Sequence, residues 1–323
     1  GLALPPPAPE TNTIAVDTDT GVRRWFDGNM WIPIDSTRGV MAGGYNRSGS
    51  AYTNTIDYIT IATTGNATTF GNATASKSNG GAVTSGTRGV FGGAFVNGNY
   101  SAIIDYITIG TTGNATSFGN LSVTRGGLGG CSDLARGCFC GGDTGSVSNV
   151  IDYITISTPG NATNFGNLTT TRYNPAGLSD TVTRGIIAGG STSRTTIDYI
   201  TISTTGNATN FGNLSAGRSS FGGISHYARG CFTAGNNGTV YVNTIDYITI
   251  ATTGNATTFG NTTVAGGMSS TQMSSLTRGV MAGYYPSGAS NVIDYITIMT
   301  TGNATSFGTQ SQTRDFTDGT FGS

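Results

Sequence analysis

The chain has 323 residues, and its composition is unusual for a globular protein because 52 residues are glycine and only 10% are charged. Its 16 acidic and 15 basic residues leave a net charge of −1, which argues against nucleic acid binding because that function needs a basic surface. No apolar stretch approaches the ~20 residues of a membrane-spanning helix, and the first residues do not read as a signal peptide. We therefore expect neither a nucleic acid partner nor membrane insertion.

Residues 1–35 form a leader that differs from the rest of the chain. The sequence PPPAP at 5–9 predicts a stiff, extended spacer. Residues 13–34 hold short β-prone runs separated by DTG and DGN turn sequences, which predict a short β-hairpin. The hairpin carries both tryptophans, Trp25 and Trp31, and it is too small to bury two indole rings by itself. We therefore predict an attachment segment that docks on the rest of the chain or on another protein.

The remaining residues, 36–323, contain six copies of nearly the same sequence. Each copy contains the sequence IDYITI, and the aspartates in these copies lie 46 to 48 residues apart. They are Asp57, Asp105, Asp152, Asp198, Asp246 and Asp294. Such a period is typical of repeat architectures. Runs of β-branched and aromatic residues separated by Gly-Asn turns fit four short strands into each unit, and nothing favours a helix. A parallel β-helix is the main alternative, but its coils of about 20 to 30 residues are too short.

The two ends of the repeat region are complementary. The first unit begins with STRGVMAGG at 36–44, so it lacks an opening strand, whereas the sixth is followed by a surplus strand in TRDFTDGTFGS at 313–323. A C-terminal strand paired into the N-terminal unit closes a ring and removes exposed sheet edges. The predicted fold is all-β, a six-bladed β-propeller of four-stranded blades over 36–323, closed by the C-terminal strand and preceded by the leader.

The repeat resembles the kelch family of β-propellers. RGVFGG at 88–93, IIDYITI at 103–109 and Arg125 stand where kelch blades have a Gly pair, an acidic residue with a tyrosine, and a basic residue. The tryptophan usual in the fourth kelch strand is replaced by phenylalanine in every unit. These residues are Phe70, Phe118, Phe165, Phe211, Phe259 and Phe307. The resemblance implies a propeller fold.

The repeated sequence pattern TRGVFGG…IDYITI…GNAT…FGN is also similar to that of virion proteins of tailed phages, marine ones especially. The strand-turn-strand pattern of the leader resembles attachment segments in phage tail and fibre proteins. These resemblances imply a virion component of an extracellular particle that is attached through residues 1–35.

An Arg-Gly pair lies one strand before each repeated aspartate. The arginines are Arg38, Arg88, Arg136, Arg184, Arg229 and Arg278. A buried carboxylate must be paired or strongly hydrogen-bonded, and a guanidinium on the neighbouring strand offers a forked donor. We therefore predict structural Asp–Arg pairs rather than a ring of catalytic or metal-binding carboxylates.

A second basic series opens the inner strands, and Gly266 interrupts it. Its members are Lys77, Arg125, Arg172, Arg218 and Arg314. Two interpretations stay open. These cations could surround one mouth of a central channel and attract an anion, or they could bond carbonyls and carboxylates of adjacent blades.

Each unit also contains a GNA turn that is followed by Thr. The asparagines are Asn66, Asn114, Asn161, Asn207, Asn255 and Asn303. The pattern matches the N-glycosylation acceptor. In a bacterial or viral protein it is simply good turn chemistry, because Asn and Gly tolerate positive φ, and we favour the turn.

The sequence offers no recognisable catalytic or metal site. His226 is the only histidine, and it falls at a predicted hairpin tip. The four cysteines, in two units only, have neither disulfide nor zinc spacing and are interpreted as buried thiols. They are Cys131, Cys138, Cys140 and Cys231. We expect a protein that is not an enzyme and has no cofactor.

The loops between the second and third strands vary while the framework repeats. They occupy 45–54, 94–102, 143–149, 191–195, 236–243 and 284–291, and together they are called the loop face. Alternate hairpins of a blade point the same way, so these loops should share one side of the disc. Their aromatic residues stand among Asn, Ser and Gly, which suits a recognition surface. The aromatic residues are Tyr45, Tyr52, Phe95, Tyr100, Tyr241, Tyr284 and Tyr285.

These features lead to one functional hypothesis and one alternative. The chain is predicted to be a non-enzymatic structural protein of a tailed phage virion, bound to other virion proteins through its leader and displaying the loop face to a host-surface glycan. The alternative is a secreted or cell-surface carbohydrate-binding propeller of a bacterium.

Overall fold

A computed structural model describes residues 14–16, 23–26, 31–33, 37–191, 195–267, 273–285 and 291–322. All regular structure in these ranges is β, and no α-helix occurs in them. The predicted all-β class is therefore confirmed. The strands form repeated four-stranded antiparallel sheets, as expected of a propeller-like repeat fold.

The leader contributes one antiparallel sheet of three strands, Ile14–Val16, Arg23–Phe26 and Trp31–Pro33. The sequence predicted a hairpin, and the structure adds a third strand to it. Its turns lie outside the described residues. The same holds for the surroundings of the Trp25 and Trp31 side chains, so their docking stays a prediction.

Six four-stranded sheets follow, and each is numbered as a unit by the copy of IDYIT in its third strand. The strands of units 1 and 2 are Asp318–Gly322, Arg38–Ala42, Thr55–Thr60 and Thr68–Asn72, then Gly81–Thr84, Arg88–Gly92, Ile103–Thr108 and Thr116–Asn120. Those of units 3 and 4 are Gly129–Ser132, Arg136–Cys140, Val150–Thr155 and Thr163–Asn167, then Ala176–Ser179, Arg184–Ala188, Thr196–Thr201 and Thr209–Asn213. Those of units 5 and 6 are Gly222–Ser225, Arg229–Thr233, Thr244–Thr249 and Thr257–Asn261, then Met273–Ser274, Arg278–Ala282, Val292–Thr297 and Thr305–Thr309.

Short strands lie outside these sheets, at Tyr45–Asn46, Ala51–Tyr52, Lys77–Ser78, Phe95–Val96 and Asn99–Tyr100. Four of them belong to the loop face, and Lys77–Ser78 belongs to the connection that leads into unit 2. Phe95–Val96 pairs with both Asn99–Tyr100 and Lys77–Ser78. The loop of unit 2 is thus hydrogen-bonded to the connection that leads into its first strand.

Unit 1 takes its first strand from the C-terminal end of the described chain. Asp318–Gly322 pairs antiparallel with Arg38–Ala42, and Thr320 lies opposite Val40. The first strand of unit 1 also contacts the first strands of units 2 and 6. This strand therefore contacts a unit on either side of its own sheet.

The apolar core lies between neighbouring sheets. Val40 and Phe70 of unit 1, for example, pack with Phe91 and Ile107 of unit 2 in one buried cluster. Six such clusters occur, and one of them joins unit 6 to unit 1. A strand packed on both faces needs apolar residues on both faces. This explains why β-branched and aromatic residues follow one another in IDYITI.

Backbone hydrogen bonds join the outer strands of neighbouring units. Gly113 and Ala115 of unit 2 donate N–H groups to the carbonyls of Phe70 and Asn72 of unit 1, at 2.9 and 2.8 Å. The side-chain Oδ1 of Asn114 accepts the N–H of Asn72 at 3.0 Å. Every GNA turn supplies such an asparagine, in unit 1 towards unit 6 as well. The positive φ that the turn interpretation assumed does not occur at these asparagines, and their side chains instead bind the neighbouring unit.

The close approach of these segments generates a prediction about two glycines. A Cβ atom built on Gly71 would overlap the carbonyl oxygen of Gly113, whereas a Cβ atom on Gly113 would meet nothing within 4 Å. Gly71→Ala should destabilise the protein by about 1 to 3 kcal/mol, as overpacking does. The matched control Gly113→Ala should stay within about 0.5 kcal/mol of the parent. Urea unfolding measures both, and equal losses would show that the contact does not set the stability.

Candidate functional site

Each repeated aspartate is fully buried and holds the connection that leads into its own unit. Asp198 accepts hydrogen bonds from the N–H and hydroxyl of Thr169, at 2.9 and 2.7 Å, and pairs with Arg172 at 2.7 Å. Equivalent ion pairs join Lys77 to Asp105, Arg125 to Asp152, Arg218 to Asp246 and Arg314 to Asp57. All five cations are buried against carboxylates, as the structural interpretation expected, but each carboxylate belongs to the unit that the cation leads into and not to an adjacent one.

The predicted partners of the aspartates were wrong, and the strand register gives the reason. Arg38 lies opposite Thr60, whereas Asp57 lies opposite Met41. Side chains alternate between the two faces of a strand, and Arg38 and Met41 are three residues apart, so Arg38 and Asp57 project from opposite faces. The same register recurs in the other units. The arginines concerned are Arg38, Arg88, Arg136, Arg184, Arg229 and Arg278.

These six arginines join neighbouring units instead. The guanidinium carbon of Arg38 lies 4.8 Å from the ring centroid of Tyr58, and its Nη1 donates to the carbonyl of Ile109 in unit 2 at 2.9 Å. Arg278 of unit 6 donates to Ile61 of unit 1 at the same distance. The remaining four follow the same pattern. The series therefore links each unit to the next through charge-assisted hydrogen bonds.

The sixth unit replaces the buried cation by a tyrosine. Gly266 stands where the other units have Lys or Arg, and a Cβ atom built on it would lie 3.0 Å from the Cβ of Tyr284. The Tyr284 side chain fills this space, and its hydroxyl donates to Oδ2 of Asp294 at 3.0 Å. Tyr284 is fully buried, so its predicted place among the exposed loop residues was wrong. The signal was available, since Gly266 and Tyr284 both depart from the repeat in one unit.

The other predicted loop residues come together in pairs. Tyr45 and Tyr52 form an edge-to-face pair with ring centroids 5.1 Å apart, and Phe95 and Tyr100 lie 4.9 Å apart. All four are half-buried. Rigid aromatic rings that already rest on one another lose little conformational freedom when they bind a partner.

Tyr241 and Tyr285, of units 5 and 6, also meet edge to face, with centroids 5.5 Å apart. Tyr285 further contacts Phe316 of the connection into unit 1, again at 5.5 Å. The loop residues 192–194 and 286–290 lie outside the described residues. In the part that is described, adjacent loops contact each other, as expected if they share one side of the molecule.

Arg47 and Asp315 complete this cluster, and sequence reasoning missed both. Arg47 Nε donates to Asp315 Oδ2 at 2.7 Å, and the guanidinium lies over the rings of Tyr45 and Tyr285. Burial raises the pKa of Asp315, whereas the hydrogen bond and the charge of Arg47 lower it. The signal was again a departure from the repeat, because the other connections have Ser, Gly or Tyr at the position of Asp315.

Shallow grooves recur on the framework. Three of them, of about 330, 360 and 290 Å³, are lined by the third-strand tyrosine and the threonines and asparagine of the GNA turn. The tyrosines are Tyr58, Tyr106 and Tyr295. These grooves differ from the loop face because their lining is nearly the same in each unit.

The remaining sequence candidates, the four cysteines and His226, are buried. The four cysteines are buried and not disulfide-bonded, and burial raises the pKa of Cys231 to about 12. His226 lies in a hairpin turn beside Tyr227. In the described ranges no group of three His, Cys, Asp or Glu side chains could hold a metal ion. Those ranges also contain no helix with the length and hydropathy to cross a bilayer.

The exchange in unit 6 predicts unequal effects at two equivalent aspartates. Asp198→Asn leaves Arg172 buried without its carboxylate and should cost about 3 kcal/mol or more. Asp294→Asn leaves no buried cation unpaired and should cost about 1 kcal/mol or less. The free energy of unfolding in urea at pH 7 compares the two variants. Equal losses would contradict the proposed exchange of cation for tyrosine.

The same site predicts a pH dependence. Burial raises the pKa of Asp294 above its ordinary value of 3.8, although the bonds from Thr263 and Tyr284 lower it. A carboxyl group with a raised native pKa binds more protons in the folded state, so its contribution to stability falls as the pH rises through that window. The stability of the parent relative to Asp294→Asn should therefore decline as the pH rises above about 4. Urea midpoints of the pair at several pH values measure this, and a difference that grows with pH would refute it.

No protein-family model matches the chain, and a comparison with curated proteins finds no significant relative. The resemblances to kelch repeats and to phage virion proteins therefore stay predictions.

Proposed function

We propose that the six sheets form a closed six-bladed propeller. Three kinds of contact support this arrangement, because each recurs between units 6 and 1 in the form it has elsewhere. Arg278 of unit 6 donates to the Ile61 carbonyl of unit 1, and Asn66 of unit 1 accepts the N–H of Thr309 of unit 6. One apolar cluster contains both Met41 of unit 1 and Val280 of unit 6. A ring of this kind leaves no sheet edge between its first and last units.

The propeller serves as a non-enzymatic binding module on the outside of a tailed phage particle. The observation that carries the proposal is the contrast between framework and loops. The third strands have the same burial pattern in all six units, while the loops above them differ in length and sequence. A constant framework with variable loops is the usual arrangement of a recognition surface.

In this function the two ends of the molecule have separate roles. The leader attaches the chain to other virion proteins, because two tryptophans on a small sheet are suited to anchoring an interface. The loop face meets a glycan on the host surface. Weak contacts suffice there, because many copies on one particle multiply the effective affinity.

The repeated grooves favour one alternative, a secreted or cell-surface carbohydrate-binding propeller of a bacterium. Each groove presents a tyrosine ring beside threonine hydroxyls and an asparagine amide. Equivalent sites around one ring would bind a repetitive glycan through several contacts at once.

Two pairs of substitutions test the proposed division of roles. Trp25→Ala with Trp31→Ala should abolish incorporation into particles, because it removes the apolar anchor. Tyr52→Ala with Tyr100→Ala should leave incorporation intact and reduce adsorption to host cells by about tenfold or more. Western blots of purified particles and adsorption rates measure the two effects.

A matched control and two outcomes make the test decisive. Val182→Ala changes an exposed side chain in the turn between the first two strands of unit 4, at the opposite end of these strands from the loop face, and should affect neither measurement. Loss of assembly in the tyrosine variant with normal assembly of the tryptophan variant would reverse the assignment. The bacterial alternative would be favoured if the chain were absent from particles and its threonine-lined grooves bound a polysaccharide.

A further inference from the structure

One cation of the described propeller does not belong to either repeated series. Six arginines bind carbonyls of neighbouring units, and five cations are buried against aspartates. Arg47 differs from both, because it lies on the loop of unit 1 and its side chain is 46% exposed. In a symmetric framework such a departure needs its own explanation.

The guanidinium of Arg47 is held on three sides. Its Nε is bound to Asp315 Oδ2 at 2.7 Å, and its carbon lies 4.8 Å from the ring centroid of Tyr45 and 4.1 Å from that of Tyr285. The two terminal nitrogens, Nη1 and Nη2, make no hydrogen bond to the described part of the chain. Their donors therefore form a forked edge that is oriented before any ligand arrives.

This edge has the geometry that an oxyanion requires when it accepts hydrogen bonds through two of its oxygens. A guanidinium binds a carboxylate or sulfate through two parallel N–H donors. Because Asp315 and the two rings already restrict the side chain, little conformational entropy remains to be lost on binding. A single available cation also fits one anionic group better than a polyanion.

The surroundings of Arg47 indicate what carries the anion. Tyr45, Tyr241, Tyr285 and Phe316 are all half-buried and extend from the guanidinium as one aromatic surface. The face of an aromatic ring is electron-rich and attracts polarised C–H groups, which line the flat faces of pyranose sugars. An acidic peptide offers no such flat face.

We infer that Tyr45, Arg47, Tyr241, Tyr285 and Phe316 form a subsite for an acidic saccharide. The terminal nitrogens of Arg47 bind the carboxylate or sulfate of the sugar, and its ring packs on the tyrosines. This inference rests on the proposed glycan-binding function and specifies the sugar class and its place on the loop face, where units 5, 6 and 1 meet.

Titration of the full chain with matched sugars tests the subsite, and ligand-detected NMR measures the affinities. Methyl β-D-glucuronide should bind at least about tenfold more tightly than methyl β-D-glucoside, which has a hydroxymethyl group in place of the carboxylate. The 6-sulfate of the glucoside distinguishes sulfated sugars from uronic acids as the source of the anion. N-acetyl-L-glutamate, which has carboxylates but no sugar ring, should bind no better than the glucoside.

Substitutions locate the binding. Arg47→Gln alone would leave Asp315 buried and unpaired, so it is combined with Asp315→Asn, which removes both charges together. The double variant should lose the preference for glucuronide while keeping the parent's melting temperature to within a few degrees. Arg47→Lys retains the charge without the fork and should weaken binding by about tenfold. Val182→Ala should change nothing.

Three results would overturn the inference: equal affinity for glucuronide and glucoside, unchanged preference in a folded double variant, or glutamate binding as tight as that of glucuronide. The assay uses no particles, so its failure is distinct from failure of the proposed function. If glucuronide does not bind but the tyrosine variant still loses adsorption, only the subsite is wrong.

Discussion

The buried carboxylate of the third strand is the interaction on which the rest of each unit depends. In unit 4, Asp198 receives the Thr169 hydroxyl and N–H and the Arg172 guanidinium, while Arg172 donates again to the Thr196 carbonyl at 2.7 Å. One charged group thus binds the incoming connection to the sheet. Since burial of an unpaired carboxylate would be very unfavourable, the connection is strongly held in one position, and the variable loop above it rests on a constant base.

Unit 6 indicates how much change this arrangement tolerates. Its cation position is a glycine, and a tyrosine from the neighbouring segment occupies the space and donates to Asp294. The glycine alone would leave the Asp294 carboxylate unpaired, and the tyrosine alone would place a large ring at a glycine position. Together the two changes compensate each other. The exchange also brings Tyr285, the next residue, beside the Arg47 cluster, so the most divergent unit adjoins the most divergent loop.

The sequence allowed the strands to be predicted, because a run of β-branched and aromatic residues and a Gly-Asn turn are local properties of IDYITI and GNA. It also predicted that the repeated aspartates are structural. It did not predict their partners, because whether Arg38 and Asp57 share a face depends on the register of two strands, and that register is set by packing between sheets. Tyr284 was misplaced for a related reason: its neighbours along the chain are loop residues, and only the vacancy at Gly266 explains its burial. Arg47 and Asp315 are 268 residues apart, and no local pattern connects them.

The origin of the first strand of unit 1 affects how the chain is made as well as how it is held. During synthesis from the N-terminus, Arg38–Ala42 is made before the strands of units 2 to 6, whereas its partner Asp318–Gly322 is made after them. Units 2 to 6 are each built from consecutive strands and can form complete sheets in order as they emerge, while unit 1 retains an open edge until Asp318–Gly322 has been made. Its early strands are therefore the part of the nascent protein most exposed to pairing with another chain, and association of nascent copies on one polysome would begin there.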